Sequence, residues 1–272
     1  MIPYFPQPEL RLGPLTFHMF GALVGLGVVF GLRLAYRRAV ERGISLSDMR
    51  GAAWSALIFG FWASFACEVL FYKPWYLERE GWKALFNPSH GMSSYGGLIG
   101  AYLALVVYFR IKGIRWQRHA DLLIEAFVLG WIFGRLGCTF AHDHQGAPTS
   151  FFLAFRYPDT PRHNLGFYEF LYTLVVLYPV SRYIGTKLAA PPGLQGSAMA
   201  LLYGPMRFGL DFLRSTDQSE SDSRYAGLTF AQYCCLVLTA YGVLTVKRSL
   251  AQLRAASTRS SPQSNRSGGG AR

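Results

Sequence analysis

Seven apolar segments, each close to the length needed to cross a lipid bilayer, constrain this sequence more than any other feature. A membrane-spanning helix needs about 20 mainly apolar residues, because each residue adds about 1.5 Å and the hydrocarbon core is about 30 Å thick. Such segments occur at 14–36, 50–72, 94–112, 120–141, 166–186, 195–214 and 226–247. The sequence therefore predicts an all-α, polytopic membrane protein with seven transmembrane helices.

The distribution of lysine and arginine predicts the orientation of these spans. Of the 27 basic residues, 17 lie in the alternate segments 33–50, 110–118, 182–187 and 247–272. Cytoplasmic connections are enriched in lysine and arginine, so we expect the N-terminus outside and the C-terminus in the cytoplasm. The net charge of +12 then reflects topology and attraction to anionic lipids. Because it forms no basic stripe on a soluble domain, nucleic acid is not an expected partner.

The chain is expected to form one membrane domain over residues 1–250. The basic, serine- and glycine-rich tail, 251–272, is predicted to be disordered. The four cysteines lie within or at the ends of apolar segments and form no CxxC pair. They are therefore interpreted as packing residues.

Two arginines lie inside apolar segments, where charge is costly. Arg135 is close to the predicted outer end of span four, and Arg207 is in the outer half of span six. A buried arginine costs about 2.5–3.5 kcal/mol on insertion scales, so it normally faces a partner, a cavity or a ligand. One interpretation is an internal ion pair, with Asp211 one turn after Arg207. The other is that both guanidinium groups bind one phosphate.

The stretch GMSSYGGLIG, residues 91–100, opens span three with four glycines. Gly96 and Gly97 follow Tyr95 directly. Glycine in a membrane helix permits close helix packing, and here it would also let a bulky ligand approach the backbone. Both interpretations stay open from the sequence.

Three titratable residues, His142, Asp143 and His144, follow span four. Adjacent residues rarely supply three ligands to one ion, and no HExxH spacing is present, so no metal is predicted. Histidine titrates near neutral pH, which favours a proton-transfer role beside Arg135. A solvated loop with incidental histidines is the alternative.

The order and spacing of six stretches resemble those of the prolipoprotein diacylglyceryl transferase family. These bacterial seven-span enzymes move diacylglycerol from phosphatidylglycerol to a lipoprotein cysteine. The stretches are LGPLTFHMFG (12–21), HGMSSYGGLIG (90–100), GRLG (134–137), FYEFL (167–171), YGPMRFGLDFLR (203–214) and GLTFAQ (227–232). The resemblance covers nearly the whole chain.

The resemblance implies roles for individual residues. Arg135 and Arg207 match the family's phospholipid-binding arginines, and His18 matches its entry to span one. The other positions that fall on substrate-binding or supporting parts of its motifs are Gly96, Gly97, Cys138, Gly146, Tyr168, Glu169, Asp211 and Arg214.

Several positions depart from the family pattern. Tyr95 stands where the family has a histidine, Cys138 replaces an asparagine of the GRLG signature, and Asp143 falls on its glutamate. In span two, Phe65 replaces an arginine and Glu68 stands in place of a nearby tyrosine.

The substitution of the motif histidine bears on which residue acts as the catalytic base. Tyrosine, with a reference pKa of about 10, is a poor general base at pH 7. We therefore expect His142 or His144 to supply the base, and we include Asp143 and Tyr95 in the catalytic group.

The implied reaction is attack by a substrate cysteine thiolate on glycerol C3 of phosphatidylglycerol, with release of glycerol 1-phosphate. It needs no cofactor or metal. The implied partners are phosphatidylglycerol, prolipoprotein signal peptides bearing a lipobox cysteine, and membrane lipids, at a site facing outward from the bacterial cytoplasmic membrane. Two alternatives remain: a transferase with another acceptor, and a non-catalytic lipid-binding or transport protein. The absence of repeat symmetry argues against the last.

Overall fold

The computed structural model describes residues 1–12, 15–114, 116–186, 191–217 and 222–260, and it is mainly helical. In the described ranges the α-helices are α1 (Met19–Glu41), α2 (Leu46–Cys67), α3 (Trp75–Glu80), α4 (Ser94–Lys112), α5 (Trp116–Ala141), α6 (Leu165–Tyr172), α7 (Tyr178–Thr186), α8 (Leu194–Leu210) and α9 (Phe230–Ser260). A π-helical turn, Glu68–Tyr72, extends α2, and a second, Thr173–Leu177, joins α6 to α7. Three 3₁₀ turns occupy Gly81–Phe86, Pro88–His90 and Asp211–Leu213.

Among the described residues, five helical stretches are long and apolar enough to cross a membrane. They are Met19–Glu41, Leu46–Tyr72, Ser94–Lys112, His119–Ala141 and Phe230–Gln252, and they correspond to predicted spans one, two, three, four and seven. The prediction of a polytopic helical membrane protein is therefore confirmed.

The other two predicted spans are also helical but do not reach the same length or apolarity. The fifth is the run α6, π turn and α7, and the sixth is α8, which has 17 residues and contains Pro205. The number of seven spans and the orientation of the termini stay predictions.

Three pairs of helices pack along their length: α1 with α5, α2 with α4, and α8 with α9. Glycine makes the α2–α4 approach possible. A Cβ atom at Gly100 would stand 2.3 Å from Ala63 Cβ and 2.7 Å from Phe59 O, and one at Gly96 would stand 2.3 Å from Cys67 Cβ. At Gly97 the nearest contact would be 3.6 Å. The packing interpretation of the glycine-rich stretch therefore applies to Gly96 and Gly100.

Short strands occur in the connections, where the sequence predicts none. The strands are β1 (Ile2–Pro3), β2 (Glu9–Leu12), β3 (Leu15–His18), β4 (Gln145–Pro148), β5 (Phe155–Arg156), β6 (Pro161–Asn164), β7 (Arg224–Tyr225) and β8 (Leu228–Thr229). β2 pairs with β3 and β7 with β8, in both cases antiparallel.

A four-stranded sheet in the order β1–β5–β6–β4 covers one end of the helix bundle, here called the sheet end. β1 is parallel to β5, and the other neighbours are antiparallel. The all-α prediction thus holds for the apolar body and is corrected in the N-terminal segment, in the connection 142–165 and in the short hairpin before α9. Strands of two to four residues are too short to show the alternation that identifies a strand in a sequence.

Two smaller predictions concern the tail and the cysteines. α9 continues to Ser260, so the first part of the predicted tail is helical, whereas residues 261–272 lie outside the described residues. The boundary at 250 stays a prediction. The four cysteines are free, and Cys138 and Cys235 are buried, as expected of packing residues.

Replacing Gly100 with alanine should destabilise the bundle, because the added methyl group would press against the backbone of α2. Overpacking of this kind costs about 1–3 kcal/mol, so the midpoint of thermal unfolding in detergent should fall by several degrees. Gly97→Ala is the matched control, since its methyl group has room and alanine favours a helix by about 1 kcal/mol over glycine. Equal midpoints for the two variants would contradict the α2–α4 interface.

Candidate active site

A buried glutamate joins the two arginines at the sheet end. Glu169 Oε2 lies 3.1 Å from Arg135 Nε, and its Oε1 lies 3.2 Å from Arg207 Nε. Tyr203 Oη donates a hydrogen bond to Oε2 at 2.9 Å. Glu169 is fully buried and both arginines nearly so. Three helices, α5, α6 and α8, therefore meet at one carboxylate.

The close approach of α6 to α5 brings Glu169 to Arg135. A Cβ atom at Gly166 would stand 3.0 Å from Cys138 Cβ and 3.1 Å from its carbonyl carbon, so any larger residue would be crowded where α6 begins. Glu169 lies one turn after Gly166, and Arg135 lies one turn before Cys138. Residues three apart share a helix face, so the two charged side chains meet directly beside the glycine contact.

The remaining groups of Arg135 are also occupied. Nη2 donates to Ser94 Oγ at 2.8 Å, and Nη1 lies 3.5 Å from His144 Nε2 and 3.9 Å from Cys138 Sγ. The guanidinium carbon lies 4.2 Å above the ring of Trp131, a cation–π contact. The guanidinium plane is therefore fixed, and its least tightly bonded nitrogen, Nη1, faces His144.

A second carboxylate, that of Asp211, lies between Arg207 and Arg214. Asp211 pairs with Arg207 Nη1, accepts a hydrogen bond from Thr229 Oγ1, and lies 3.7 Å from Arg214 Nη1. Arg214 also pairs with Asp222 at 2.9 Å. The internal ion pair that the sequence spacing predicts for Arg207 is thus present, together with the pair to Glu169.

His144 is oriented by its neighbour Asp143. The Nδ1 atom lies 2.7 Å from Asp143 Oδ1, and Nε2 faces Arg135 Nη1. A carboxylate only accepts and a guanidinium only donates, so both contacts require the hydrogen on Nδ1 and a lone pair on Nε2. The Asp143 side chain is 40% exposed, so desolvation by the surrounding protein raises its pKa less effectively than in a closed site. His144 and Arg135 lower the pKa, and the net shift is downward. Asp143 is therefore anionic, and Nε2 is the basic atom that faces the site.

His142 has a different environment, although it is only two residues away. Its φ of 53° lies in the left-handed region. Its Nε2 lies 2.8 Å from Phe5 O, and its Nδ1 lies 3.1 Å from Tyr157 Oη and 3.4 Å from Asn164 Nδ2. The structure therefore brings His144, and not His142, to Arg135.

Tyr95 is close to the buried ion pairs, but its side chain packs among apolar residues. Its Oη is 2.7 Å from Cys235 Sγ, and its side chain belongs to a buried apolar cluster with Tyr203, Leu194 and Ala231. At the position where the family has a histidine, this chain thus has a buried phenol hydrogen-bonded to a thiol.

Gly146 brings strand β4 against the segment that contains Arg214. The two residues form an isolated β-bridge, and a Cβ atom at Gly146 would stand 2.6 Å from Leu213 O. Glycine is therefore required for this approach, which joins the sheet to the end of α8.

Two predicted site residues lie apart from the arginines. His18 is the N-cap of α1, about half exposed, with Nδ1 3.3 Å from Glu9 Oε1. Tyr168 Oη lies 2.9 Å from His163 Nδ1, on the sheet side of α6. Their roles in the site stay predictions.

One group of side chains has the composition of a metal site. Ligand atoms of Cys138, Asp143 and His144 lie within 4.8 Å of one another. However, Arg135 Nη1 lies 3.5 Å from His144 Nε2 and 3.9 Å from Cys138 Sγ. A fixed positive charge at this distance opposes a divalent cation and attracts an anion. The position of Arg135 therefore opposes a divalent cation at this group.

Four contact residues were not identified from the sequence. Ser94 and Tyr203 lie within the motif stretches, next to Tyr95 and four residues before Arg207, so their position was a usable signal. Trp131 lies one turn before Arg135 and could have been found from helical spacing. Asp222 lies in a polar connection with no signal of its own.

Replacing Glu169 with glutamine should destabilise the protein strongly, because two buried arginines would lose their shared counter-charge. Breaking a buried ion pair costs about 3–5 kcal/mol. Tyr203→Phe removes only one hydrogen bond to the same carboxylate and should cost less, about 1.5–3 kcal/mol. Denaturation in detergent gives the free energies of unfolding of the two variants. A Glu169→Gln variant as stable as the wild type would contradict the ion pairs of Glu169 with the two arginines.

Acidification should weaken the sheet end through His142. Burial lowers its pKa, against smaller upward contributions from Phe5 O and Asp143. Above pH of about 6.5 the imidazole is neutral in both folded and unfolded chains. Below that pH the unfolded chain takes up a proton that the folded chain resists, so the free energy of unfolding decreases. His142→Gln should reduce the slope of stability against pH between about 6.5 and 5, and equal slopes would contradict this.

Comparison with known proteins agrees with the geometry. The sequence model of prolipoprotein diacylglyceryl transferase matches residues 8–247. Three relatives are named phosphatidylglycerol–prolipoprotein diacylglyceryl transferase. The protein of Bordetella avium is 30% identical over 263 residues, covering 92% of this chain and 98% of the relative. That of Nitratidesulfovibrio vulgaris (strain Miyazaki F) is 29% identical, with 91% and 95% covered. That of Methylococcus capsulatus is 29% identical, with 92% and 97% covered. The chain belongs to the prolipoprotein diacylglyceryl transferase family.

Proposed function

We propose that this protein transfers the diacylglyceryl group of phosphatidylglycerol to the lipobox cysteine of prolipoproteins, with release of glycerol 1-phosphate. One observation supports this most directly. Two buried arginines share Glu169 and lie beside a histidine whose free Nε2 faces one of them. An anion-binding pair next to an oriented base is what this transfer requires, and the named relatives match over nearly their full length.

The lipid phosphate binds at Arg135 and Arg207 in this proposal. Arg207 is already paired with two carboxylates, whereas Arg135 shares Glu169 and makes only long contacts through Nη1. A phosphate oxygen would replace those long contacts with a charge-assisted hydrogen bond. During the reaction the same donors stabilise the negative charge that develops on the leaving phosphate.

His144 acts as the general base. The acceptor thiol, with an ordinary pKa of about 8.5, gives its proton to His144 Nε2, and Asp143 stabilises the resulting imidazolium. The thiolate sulfur then forms a bond to glycerol C3 of the lipid. The bond between C3 and the phosphate oxygen breaks, and its electron pair leaves with glycerol 1-phosphate.

The other predicted residues have supporting roles. Gly146 and Asp211 position Arg214 at the edge of the site, and Cys138 lies against Nη1 of Arg135 where the family has an asparagine. Three further residues belong to the proposed site: His18 and Gly97 as substrate-binding residues, and Tyr168 as a supporting residue.

We further propose seven spans, with the sheet end on the outer face of the bacterial cytoplasmic membrane. The five long apolar helices, the helical character of the two remaining segments and the bias of basic residues support this topology. The site would then open where an exported prolipoprotein presents its lipobox.

The direct test uses purified protein, phosphatidylglycerol labelled in its acyl chains, and a synthetic lipobox peptide. Label should pass to the peptide cysteine together with an equal amount of released glycerol 1-phosphate, and a peptide with serine in place of that cysteine should stay unlabelled. Release without peptide labelling would indicate another acceptor. No release at all would contradict catalysis and favour a lipid-binding protein.

His144→Ala should lower the transfer rate by about two to four orders of magnitude, the usual contribution of a general base, with little change in thermal stability. Tyr95→Phe should lower the transfer rate by a smaller factor. His142→Ala serves as the comparison, since its contacts to Phe5 and Tyr157 place it in the packing of the sheet, so it should lower stability as well as rate. Full activity of the His144 variant would show that the base lies elsewhere.

A further inference from the structure

Glu68 is a carboxylate of low exposure that the proposed mechanism does not use. It opens the π-helical turn Glu68–Tyr72 at the end of α2, and its side chain is only 14% exposed. Among the described residues its one ion pair is with Lys73, at a long 3.8 Å. A buried carboxylate is costly unless it is hydrogen-bonded, and π-helical turns occur frequently at functional sites. The position therefore suggests a ligand.

The Glu68 carboxylate lies against Gly91, in the connection before α4, and the first residue of α4 contacts Arg135. Gly91 has φ +109°, and a Cβ atom there would stand 3.3 Å from Glu68 Oε1. Three residues later, Ser94 accepts the hydrogen bond from Arg135 Nη2. His144 and Arg214 lie within electrostatic reach of Glu68. Glu68 and the proposed phosphate site thus border the same region of the sheet end.

The neighbouring charges indicate which ligand group Glu68 can accept. Arg214 is already paired with Asp211 and Asp222, so Glu68 is not required to neutralise it. Lys73 and Arg214 both act electrostatically on Glu68 and oppose a further cation, such as an ammonium group. The negative charge of Asp222, which also acts on Glu68, is paired with Arg214. A neutral hydroxyl donor meets no such opposition, and a carboxylate oxygen is a strong acceptor for it.

We propose that Glu68 accepts hydrogen bonds from the hydroxyl groups of the glycerol head group and so determines the specificity for the donor lipid. The inference rests on the proposed function, since it takes the lipid phosphate to lie at Arg135. It concerns a position at which the resemblance implies a tyrosine in the family pattern.

The test compares two donor lipids, phosphatidylglycerol and phosphatidylpropanol. They have the same phosphate and net charge and differ only in the head-group hydroxyls. The wild type should prefer phosphatidylglycerol in kcat/KM by about tenfold or more, the effect expected of a hydrogen bond to a charged group. Glu68→Leu should reduce the preference to about twofold or less, and the isosteric Glu68→Gln should give an intermediate value.

Glu78→Gln is the matched control, because Glu78 is an exposed carboxylate on the adjacent helix α3. It should leave the preference unchanged. A Glu68→Leu variant that keeps the wild-type preference would overturn the proposal, as would a wild type that does not distinguish the lipids or that prefers phosphatidylethanolamine.

Displacement of a fluorescent lipid by the same two lipids separates this inference from the proposed function, because binding does not require transfer. A binding preference that depends on Glu68, without transfer from any donor, would support the head-group subsite and contradict the enzymatic activity. A binding preference unaffected by Glu68→Leu would contradict the subsite even if transfer occurs.

Discussion

The site depends on one carboxylate buried between two arginines. In a medium of low polarity a charge pair at about 4 Å gains on the order of 4 kcal/mol with an effective dielectric constant of 20, and desolvation of each ion offsets much of this. Glu169 can be buried because it contacts two guanidinium groups and a tyrosine hydroxyl at once. Arg207 also pairs with Asp211, whereas Nη1 of Arg135 makes only long contacts, to Cys138 and to His144. Arg135 is therefore the arginine with a donor available to a ligand.

That arrangement in turn depends on small residues at helix contacts. Gly166 lets α6 begin against α5, and Gly96 and Gly100 let α4 lie against α2. These contacts bring Ser94, at the start of α4, and Glu169, in α6, to two nitrogen atoms, Nη2 and Nε, of one guanidinium group. Gly146 pairs the sheet with the segment after α8, and His144, two residues before Gly146, lies beside Arg135. Close backbone packing at these glycines thus determines which charged side chains come into contact.

The sequence predicts the parts of this structure that depend on local chemistry. Length and apolarity predict the long helices, the cost of a buried charge marks Arg135 and Arg207, and helical spacing predicts the pair of Arg207 with Asp211. What a sequence does not specify is which helices become neighbours. The contact of Glu169 with both arginines joins residues far apart in the chain, and no periodicity indicates it.

The two histidines show the same limit at short range. His142 and His144 are equivalent candidates in the sequence, yet the left-handed backbone at His142 and its contacts to Phe5 and Tyr157 separate them. The short strands that provide those contacts have no sequence pattern of their own. The choice of His144 therefore required the tertiary structure.

The most direct test of the account is the transfer rate of Arg135→Lys with phosphatidylglycerol as donor. Lysine keeps a cation beside Glu169 but loses the planar set of donors that binds a phosphate, together with the contacts to Ser94 and to the Trp131 ring. The rate should fall by about a hundredfold or more, measured at a temperature at which the variant is still folded. A variant that transfers lipid at close to the wild-type rate would contradict the assignment of Arg135 to the lipid phosphate.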